Sequence, residues 1–490
     1  MKKKTHRWWA LVVLCLATLM IVLDTTIVNV ALPSIQASLG FSSTSLAWVI
    51  NAYALTYAGF LLLGGRLGDL YGQRRFFLLG VTLFTVCSLA CGLATSQVAL
   101  IAARAIQGIG GAVASAISLS LVMNMFPEPA ERAKAMGIFG FVAAGGGSVG
   151  ALLGGILTGA LNWHWIFLVN LPIGIIVFVL SLYLLSSEHV PPKHPHLDAW
   201  GALTVTLSLM LAVYAIVNGN VAGWTSAQTL GTLAVAVVLM CVFLWIESRV
   251  RAPLMPLSLL RLRNVAVANG VGIFWSASMF SWFFLSALYM QLVLGYDPFH
   301  VGLAFIPANL IMAIFSIWLS AKIVGRFGIK YSLATGLTLC AAGLFLFARA
   351  PSNGTFLIDI LPPMVLMGFG AGISFNPMLL AAMNDAPDDE SGLASGIVNT
   401  SFMMGGSLGL AILASIAASR TAYLVAQNVA SRAALSGGYD WAFAAGAISA
   451  LFAALLAGFA LKIRRMDRTS MGDVAEETVI GEMSAKPMLR

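Results

Sequence analysis

Asp24 stands in the apolar run Leu23-Asp24-Thr25-Thr26-Ile27-Val28-Asn29-Val30-Ala31-Leu32-Pro33, inside a stretch from Trp8 to Pro33 long enough to cross a bilayer. A carboxylate at that depth costs about 2.5–3.5 kcal/mol on insertion scales, so it needs a partner or a task. Arg104, in Arg104-Ala105-Ile106-Gln107-Gly108-Ile109-Gly110-Gly111, poses the same problem with the opposite sign. At about 1.5 Å per residue, Arg104 lies roughly 10 Å and Asp24 roughly 12 Å below the same membrane surface. The two can therefore meet at one depth. An acid and a base facing each other inside a membrane are the equipment of a proton or ion path, the alternative being a purely structural pair.

A rival chemistry is nucleophilic. Gly146-Gly147-Ser148-Val149-Gly150 fits the G-x-S-x-G pattern of serine hydrolases. All six histidines (His6, His164, His189, His194, His196 and His300) fall in loops or at helix ends, so no intramembrane base is evident. The pattern also recurs as Gly405-Gly406-Ser407-Leu408-Gly409. Closely packed helices explain a duplicated small-residue run, and a second nucleophile without a base does not. The chain is not expected to be an enzyme.

The elements that must hold these residues follow from composition. With 59% hydrophobic and 9% charged residues and a mean hydropathy of +0.92, the chain reads as a polytopic, all-α integral membrane protein. Its net charge of +8 does not point to nucleic acid. With the N-terminus in the cytoplasm, roughly 23 of the 27 Lys and Arg fall on the inner side, which is a topology signal. Lys2, Lys3, Lys4 and Arg7 make the first span a signal anchor. Arg349, Arg420 and Arg432 fall outside. Cys15, Cys87, Cys91, Cys241 and Cys340 all sit in apolar runs with no metal-site spacing, so small packing residues and no metal are expected.

At about 20 apolar residues per crossing the chain divides into roughly fourteen helices with cytoplasmic termini. Six cover residues 1–187; two more, near 199–218 and 227–247, lie within 188–263 together with cytoplasmic linkers; six cover 264–464; and 465–490 form a flexible cytoplasmic tail. The first and last six repeat each other. Gly72 and Arg74 match Gly328 and Lys330, Gly108 and Gly110 match Gly368 and Gly370, and the two Gly-Ser-x-Gly runs correspond. The middle pair is an insertion. The second copy lacks counterparts of Asp24, Asp69 and Arg104, so the charge chemistry sits in the first half. Residues 416–439 could form an amphipathic hairpin outside the membrane.

Three stretches carry a family resemblance. Gly64-Gly65-Arg66-Leu67-Gly68-Asp69-Leu70-Tyr71-Gly72-Gln73-Arg74-Arg75 resembles the loop signature of the major facilitator superfamily. Arg104-x-x-Gln107-Gly108-x-Gly110 resembles a signature of its drug exporters. Gly146, Gly150, Gly154 and Gly155 keep the spacing of the antiporter motif G-x-x-x-G-P-x-x-G-G, with Ala151 in place of the proline, and Trp163 to Gly174 also looks like the drug-exporter sequence. The chain is thus similar to the fourteen-helix drug:proton antiporters of the EmrB/QacA type. The resemblance implies alternating access, with proton coupling at Asp24 and Arg104. It implies a conformational gate of Gly68, Asp69, Gly72, Arg74 and Arg75, with Arg132 as the ionic partner of Asp69. Candidate cavity residues are Asn51, Tyr57, Gln107, Trp282, Tyr289, Asn376 and Met403. Expected ligands are protons and lipophilic small molecules, neutral or monocationic. A monomer in the plasma or inner membrane is expected, driven by the proton gradient with no cofactor, and with a periplasmic adaptor if the source is Gram-negative. A dedicated exporter of one endogenous product, such as a siderophore or antibiotic, is the alternative.

Overall fold

The computed structural model describes residues 2–42, 44–126, 128–185, 198–250, 253, 257–383 and 391–462; the tail expected at 465–490 and most of the linker at 188–197 lie outside them. Helices dominate, and the described residues contain no strand. The first half comprises α1 (Lys2–Leu39), α2 (Trp48–Tyr71), α3 (Gln73–Gly92), α4 (Gln97–Met125), α5 (Pro129–Ala160) and a broken pair, α6 (Trp165–Leu168) and α7 (Asn170–Leu184). Then come α8 (Ala199–Ala222), α9 (Ala227–Arg249) and a single turn, α10 (Leu257–Leu260). The second half comprises α11 (Arg263–Leu288), α12 (Pro298–Ile314), α13 (Ser320–Phe347), α14 (Leu361–Met383), α15 (Ser391–Ala426) and α16 (Ser431–Leu455). Eleven described helical segments are long and apolar enough to cross a bilayer, and shorter apolar stretches lie in α2, α5 and α12. In α12 the apolar helix ends where a π-helical turn, Phe315–Leu319, interrupts the α-helical hydrogen bonding.

Local sequence explains the boundaries. Ser42 and Ser45 exchange backbone-to-hydroxyl hydrogen bonds of 2.9 and 3.0 Å, which closes the turn that leads into α2. Ser96, Asp198, Ser226 and Asp297 each accept a backbone N–H at the start of a helix. The bend between α2 and α3 is made at Gly72, with φ 105° and ψ 119°. Its counterpart is Gly328, with φ 81° and ψ 164°, which breaks α13 so that residues 320–327 continue the path of α12. Only glycine adopts such values without strain. Residues 416–439 form a hairpin whose arms are the ends of α15 and α16, packed where a Cβ on Gly438 would lie 2.6 Å from the Ala417 carbonyl. α15 runs on to Ala426 and α16 begins at Ser431, because the alanine-rich sequence keeps both helices going beyond the bilayer span.

The repeat is visible in how helices touch. A Cβ on Gly80 of α3 would lie 2.9 Å from the Gly110 carbonyl of α4, and one on Gly336 of α13 would lie 2.8 Å from the Gly370 carbonyl of α14. Gly146 and Gly150 of α5 press on Val22 and Thr26 of α1; Gly405 and Gly409 of α15 press on Ile273 and Ala277 of α11. Without a hydrophobic drive between helices in lipid, such backbone proximity supplies the dispersion contacts that hold the bundles. The halves meet along α5 and α12 and along α2 and α15. In the first of these seams a Cβ on Gly155 would lie 2.7 Å from the Pro298 carbonyl, and one on Gly302 would lie 2.7 Å from the Ala151 carbonyl. Gln291 adds a bond of 2.9 Å to the Val30 carbonyl of α1. α8 packs against α9 and also touches α2 and α15, so the α8–α9 pair flanks the contact between halves.

Replacing Gly110 by alanine should lower the unfolding temperature in detergent, because its Cβ would stand 2.6 Å from the Phe84 nitrogen. Overpacking of this kind costs about 1–3 kcal/mol. Gly231→Ala is the control, since its Cβ meets nothing within 4 Å; it should be neutral or stabilising by up to about 1 kcal/mol. Equal melting of the two variants would refute the packing account.

Candidate functional site

Every first-half span except α5 contributes a group to the cluster around Asp24, and α4 and α7 supply the groups that bond the carboxylate itself. The carboxylate is fully buried, as are Arg104, Gln107, Ser88 and Asn170 around it. Arg104 Nη1 donates to Asp24 Oδ2 at 2.5 Å, Gln107 Nε2 to Oδ1 at 2.9 Å and Asn170 Nδ2 to Oδ1 at 3.0 Å. All three neighbours point N–H groups at the acid, an arrangement that suits an ionised carboxylate, which only accepts.

A further layer holds the donors. Arg104 Nε reaches the Val49 carbonyl of α2 at 3.0 Å, and Nη1 also reaches Gln107 Oε1 at 2.8 Å, one turn along α4. The guanidinium carbon lies 4.4 Å from the ring centroid of Tyr53 and 5.6 Å from that of Phe167. The charge is thus paired on its edge and covered on its face, which is how a buried guanidinium is made affordable. Ser88 of α3 accepts from Gln107 Nε2 at 2.6 Å and Asn170 Nδ2 at 3.2 Å. Cys91 lies one turn beyond, its thiol 3.7 Å from Gln107 Oε1. Gln107 therefore uses both ends of its amide, whereas Asn170 Oδ1 is buried without a hydrogen-bond partner among the described residues.

Of the residues singled out in the sequence, the structure brings Asp24, Arg104 and Gln107 into direct contact. Gln107, expected in a substrate cavity, is instead a ligand of the acid. Tyr57 connects at one remove: it donates to Ser115 at 2.8 Å and stacks 5.8 Å from Tyr53. Asn51 is fully buried on α2, and neither of its side-chain polar atoms has a hydrogen-bond partner among the described residues. The second-half candidates are dispersed. Trp282 packs on Phe283 and Phe305, while Met403 touches the cores of both halves. Tyr289 donates to the Pro351 carbonyl at 2.7 Å, and Asn376 to the Ser316 carbonyl at 2.7 Å inside the π-helical turn. These two hold backbone that the helices leave unsatisfied.

The glycines of the antiporter-like run divide by face. Gly146, Gly150 and Gly154 lie against α1, the helix of Asp24, and Gly155 lies against the start of α12 in the opposite half. At the loop between α2 and α3, Gly68 makes room for Ile117, and Arg74 donates to the Leu182 carbonyl of α7 at 2.5 Å. Arg75 is exposed. The side chains of Asp69 and Arg132 lie outside those described. Nearby, Arg7 of α1 reaches Glu131 of α5 at 3.7 Å and the Met125 carbonyl at 3.0 Å.

Sequence reasoning missed Ser88, Asn170, Tyr53 and the Val49 carbonyl as parts of the site. Asn170 carried a signal, since a lone amide in a strongly apolar span needs partners. Ser88 and a backbone carbonyl carried none.

Comparison with known proteins places this geometry in a family. Residues 14–410 match the model of the Major Facilitator Superfamily. The chain is 36% identical to a puromycin resistance protein of Streptomyces alboniger over 88% of its own length and 85% of the relative's. It is 38% identical to the cephamycin export protein CmcT of Amycolatopsis lactamdurans, covering 84% and 85%. It is 37% identical to the multidrug resistance protein Stp of Mycobacterium tuberculosis, covering 82% and 74%. Its fold superposes on the crystal structure of an auto-inhibited POT-family peptide transporter with a TM-score of 0.67 at 17% identity, over 94% of this chain and 98% of that one. The chain is a multi-pass membrane protein of the Major Facilitator Superfamily.

Proposed function

We propose that the protein is a proton-coupled efflux transporter of the cell membrane, exporting lipophilic neutral or monocationic compounds by alternating access. The observation that carries this reading is the fully buried Asp24–Arg104 pair with its shell of neutral amides. A pair built only for stability would be no worse replaced by apolar residues of the same volume. A titrating pair has to keep its charge. The relatives support export: they are named for resistance to puromycin, export of cephamycin and multidrug resistance. Those names equally support the second reading, a dedicated exporter of one endogenous antibiotic.

Fourteen crossings with both termini inside, as in the EmrB/QacA branch, fit the eleven long apolar helical segments together with the three shorter ones. In this reading α8 and α9 are the inserted pair, and Asp69 with Arg132 closes the cytoplasmic side. The seam of α5 on α12 then lies at the outer end. A proton arriving from outside neutralises Asp24 and releases Arg104 from its partner. α1 and α5, in contact through Gly146 and Gly150, would then shift together against α12. Asn170 has a part in both protonation states: its amide donates to the ionised acid, and a half-turn would let the idle Oδ1 accept from the protonated one.

Asp24→Asn should abolish pH-gradient-driven efflux from proteoliposomes while preserving ligand binding, because the amide keeps the size but carries no exchangeable charge. Full gradient-driven transport in this variant would sink the assignment. Asn170→Leu should slow turnover about fivefold at unchanged substrate affinity, the transition state between the two protonation states losing a bond of about 1 kcal/mol. Wild-type turnover would reduce Asn170 to packing.

Substrate charge follows from one titrating acid. One proton moving down 100 mV and one pH unit supplies about 3.7 kcal/mol for a neutral substrate. A monocation leaving against the same potential leaves about 1.4 kcal/mol, and a dication makes the exchange uphill by about 0.9 kcal/mol. Concentrative export of neutral and monocationic compounds and none of dications is expected in proteoliposomes with both gradients clamped. Robust uphill pumping of a dication would refute one-proton coupling.

A further inference from the structure

A groove of about 640 Å³ opens between α8, α15 and α16, far from the Asp24 site. Its floor and walls are Ile216 of α8 and Ile412 and Ile416 of α15, with Trp224 and Trp441 at the rim and Arg420 at its head. The two tryptophans are about half exposed, at 47% and 58%. Trp224 is folded back onto the end of α8, where a Cβ on Gly219 would stand 3.1 Å from its ring. The positive φ of Gly223 makes that return possible.

Arg420 is the unusual member. Its guanidinium carbon lies 5.1 Å from the Tyr423 ring and 5.2 Å from the Trp441 ring, so two aromatic faces hold it in place. Its Nε is buried and has no hydrogen-bond partner among the described residues. Asp440, the nearest carboxylate in sequence on α16, is not among the lining residues and lies instead within electrostatic reach of Tyr289. The groove therefore joins an apolar trough to a cation that has no carboxylate partner among the described residues, flanked by aromatic rings of the kind that sit at headgroup level.

We propose that this groove binds one anionic phospholipid, its phosphate on Arg420 and an acyl chain along Ile416, Ile412 and Ile216. A guanidinium held in a fixed orientation suits phosphate oxygens, and the isoleucine trough suits a hydrocarbon tail. The inserted helix α8 supplies one wall, so the site exists only in a chain that carries the insertion. Bound there, the lipid bridges the inserted pair to α15, the helix that packs on α2 of the opposite half. This inference does not depend on the proposed direction or chemistry of transport.

The test is native mass spectrometry of the full-length protein, released from vesicles containing phosphatidylglycerol and phosphatidylcholine in equal amounts. Wild-type protein should retain one phosphatidylglycerol in preference to phosphatidylcholine. Arg420→Gln should lower that retention about fivefold, the loss expected for one basic contact, with Arg349→Gln as a control that leaves it unchanged. Ser419 also lines the groove and is exposed, so Ser419→Trp keeps the arginine but fills the trough and should displace the lipid even if Arg420→Gln fails to fold. Equal retention of both lipids by the wild type, or undiminished retention in Ser419→Trp, would overturn the proposal. Release of the lipid by excess inorganic phosphate alone would overturn it too, showing an anion site with no stake in the acyl chain.

Discussion

A carboxylate that cannot leave the membrane interior is the constraint from which the first half is built. In lipid its charge has no water to turn to, so the protein must supply every compensating dipole. Arg104 gives the countercharge, but a guanidinium has five N–H groups to satisfy and a flat face to cover. Satisfying them draws in the Val49 carbonyl, the Gln107 amide and the rings of Tyr53 and Phe167. Gln107 and Asn170 in turn need Ser88. One ionisable residue thus fixes the mutual placement of α1, α2, α3, α4 and the α6–α7 pair.

Small residues make that convergence geometrically possible. Five helices can join one cluster around a carboxylate only if their axes lie close, and glycines allow it: Gly108 approaches the Tyr53 carbonyl and Gly80 faces Gly110. α5 is the exception that contributes no ligand. It lies against the back of α1 through Gly146, Gly150 and Gly154, and its far end meets α12 through Gly155. The helix carrying the acid and the seam between halves are therefore joined by one rigid element with no loop between them. The duplicated Gly-Ser-x-Gly run in α15 performs the same packing against α11, where no charge has to be held.

The asymmetry between halves is chemical and not architectural. Matching glycines make matching helix contacts in both, yet several buried polar groups in the second half serve its own backbone. Asn376 completes a π-helical turn, Tyr289 anchors the Pro351 carbonyl, and Ser278 reaches the Gly446 carbonyl at 2.8 Å. The described π-helical turns, four in number, also lie in that half, where they leave carbonyls that side chains must answer.

Much was legible in the sequence because the bilayer is a demanding solvent. Apolar run length sets the helices, clustered basic residues set the proposed sidedness, and recurring glycines reveal the duplicated half. Asp24 and Arg104 could be matched by depth alone, since each is costly in isolation and both lie at one level. What depth could not provide is direction around the helix axis. Whether Gln107 faces a cavity or the acid, whether Ser88 is a packing residue or an acceptor, and which carbonyl receives Arg104 Nε depend on the rotation and crossing of five helices. The same holds for Arg420. Its sequence position marks only an arginine beyond an apolar run, and the trough beside it arises where α8 meets α15 and α16. Hydropathy is a one-dimensional signal, and a polar contact in the bilayer is settled by which faces the tertiary packing turns toward each other.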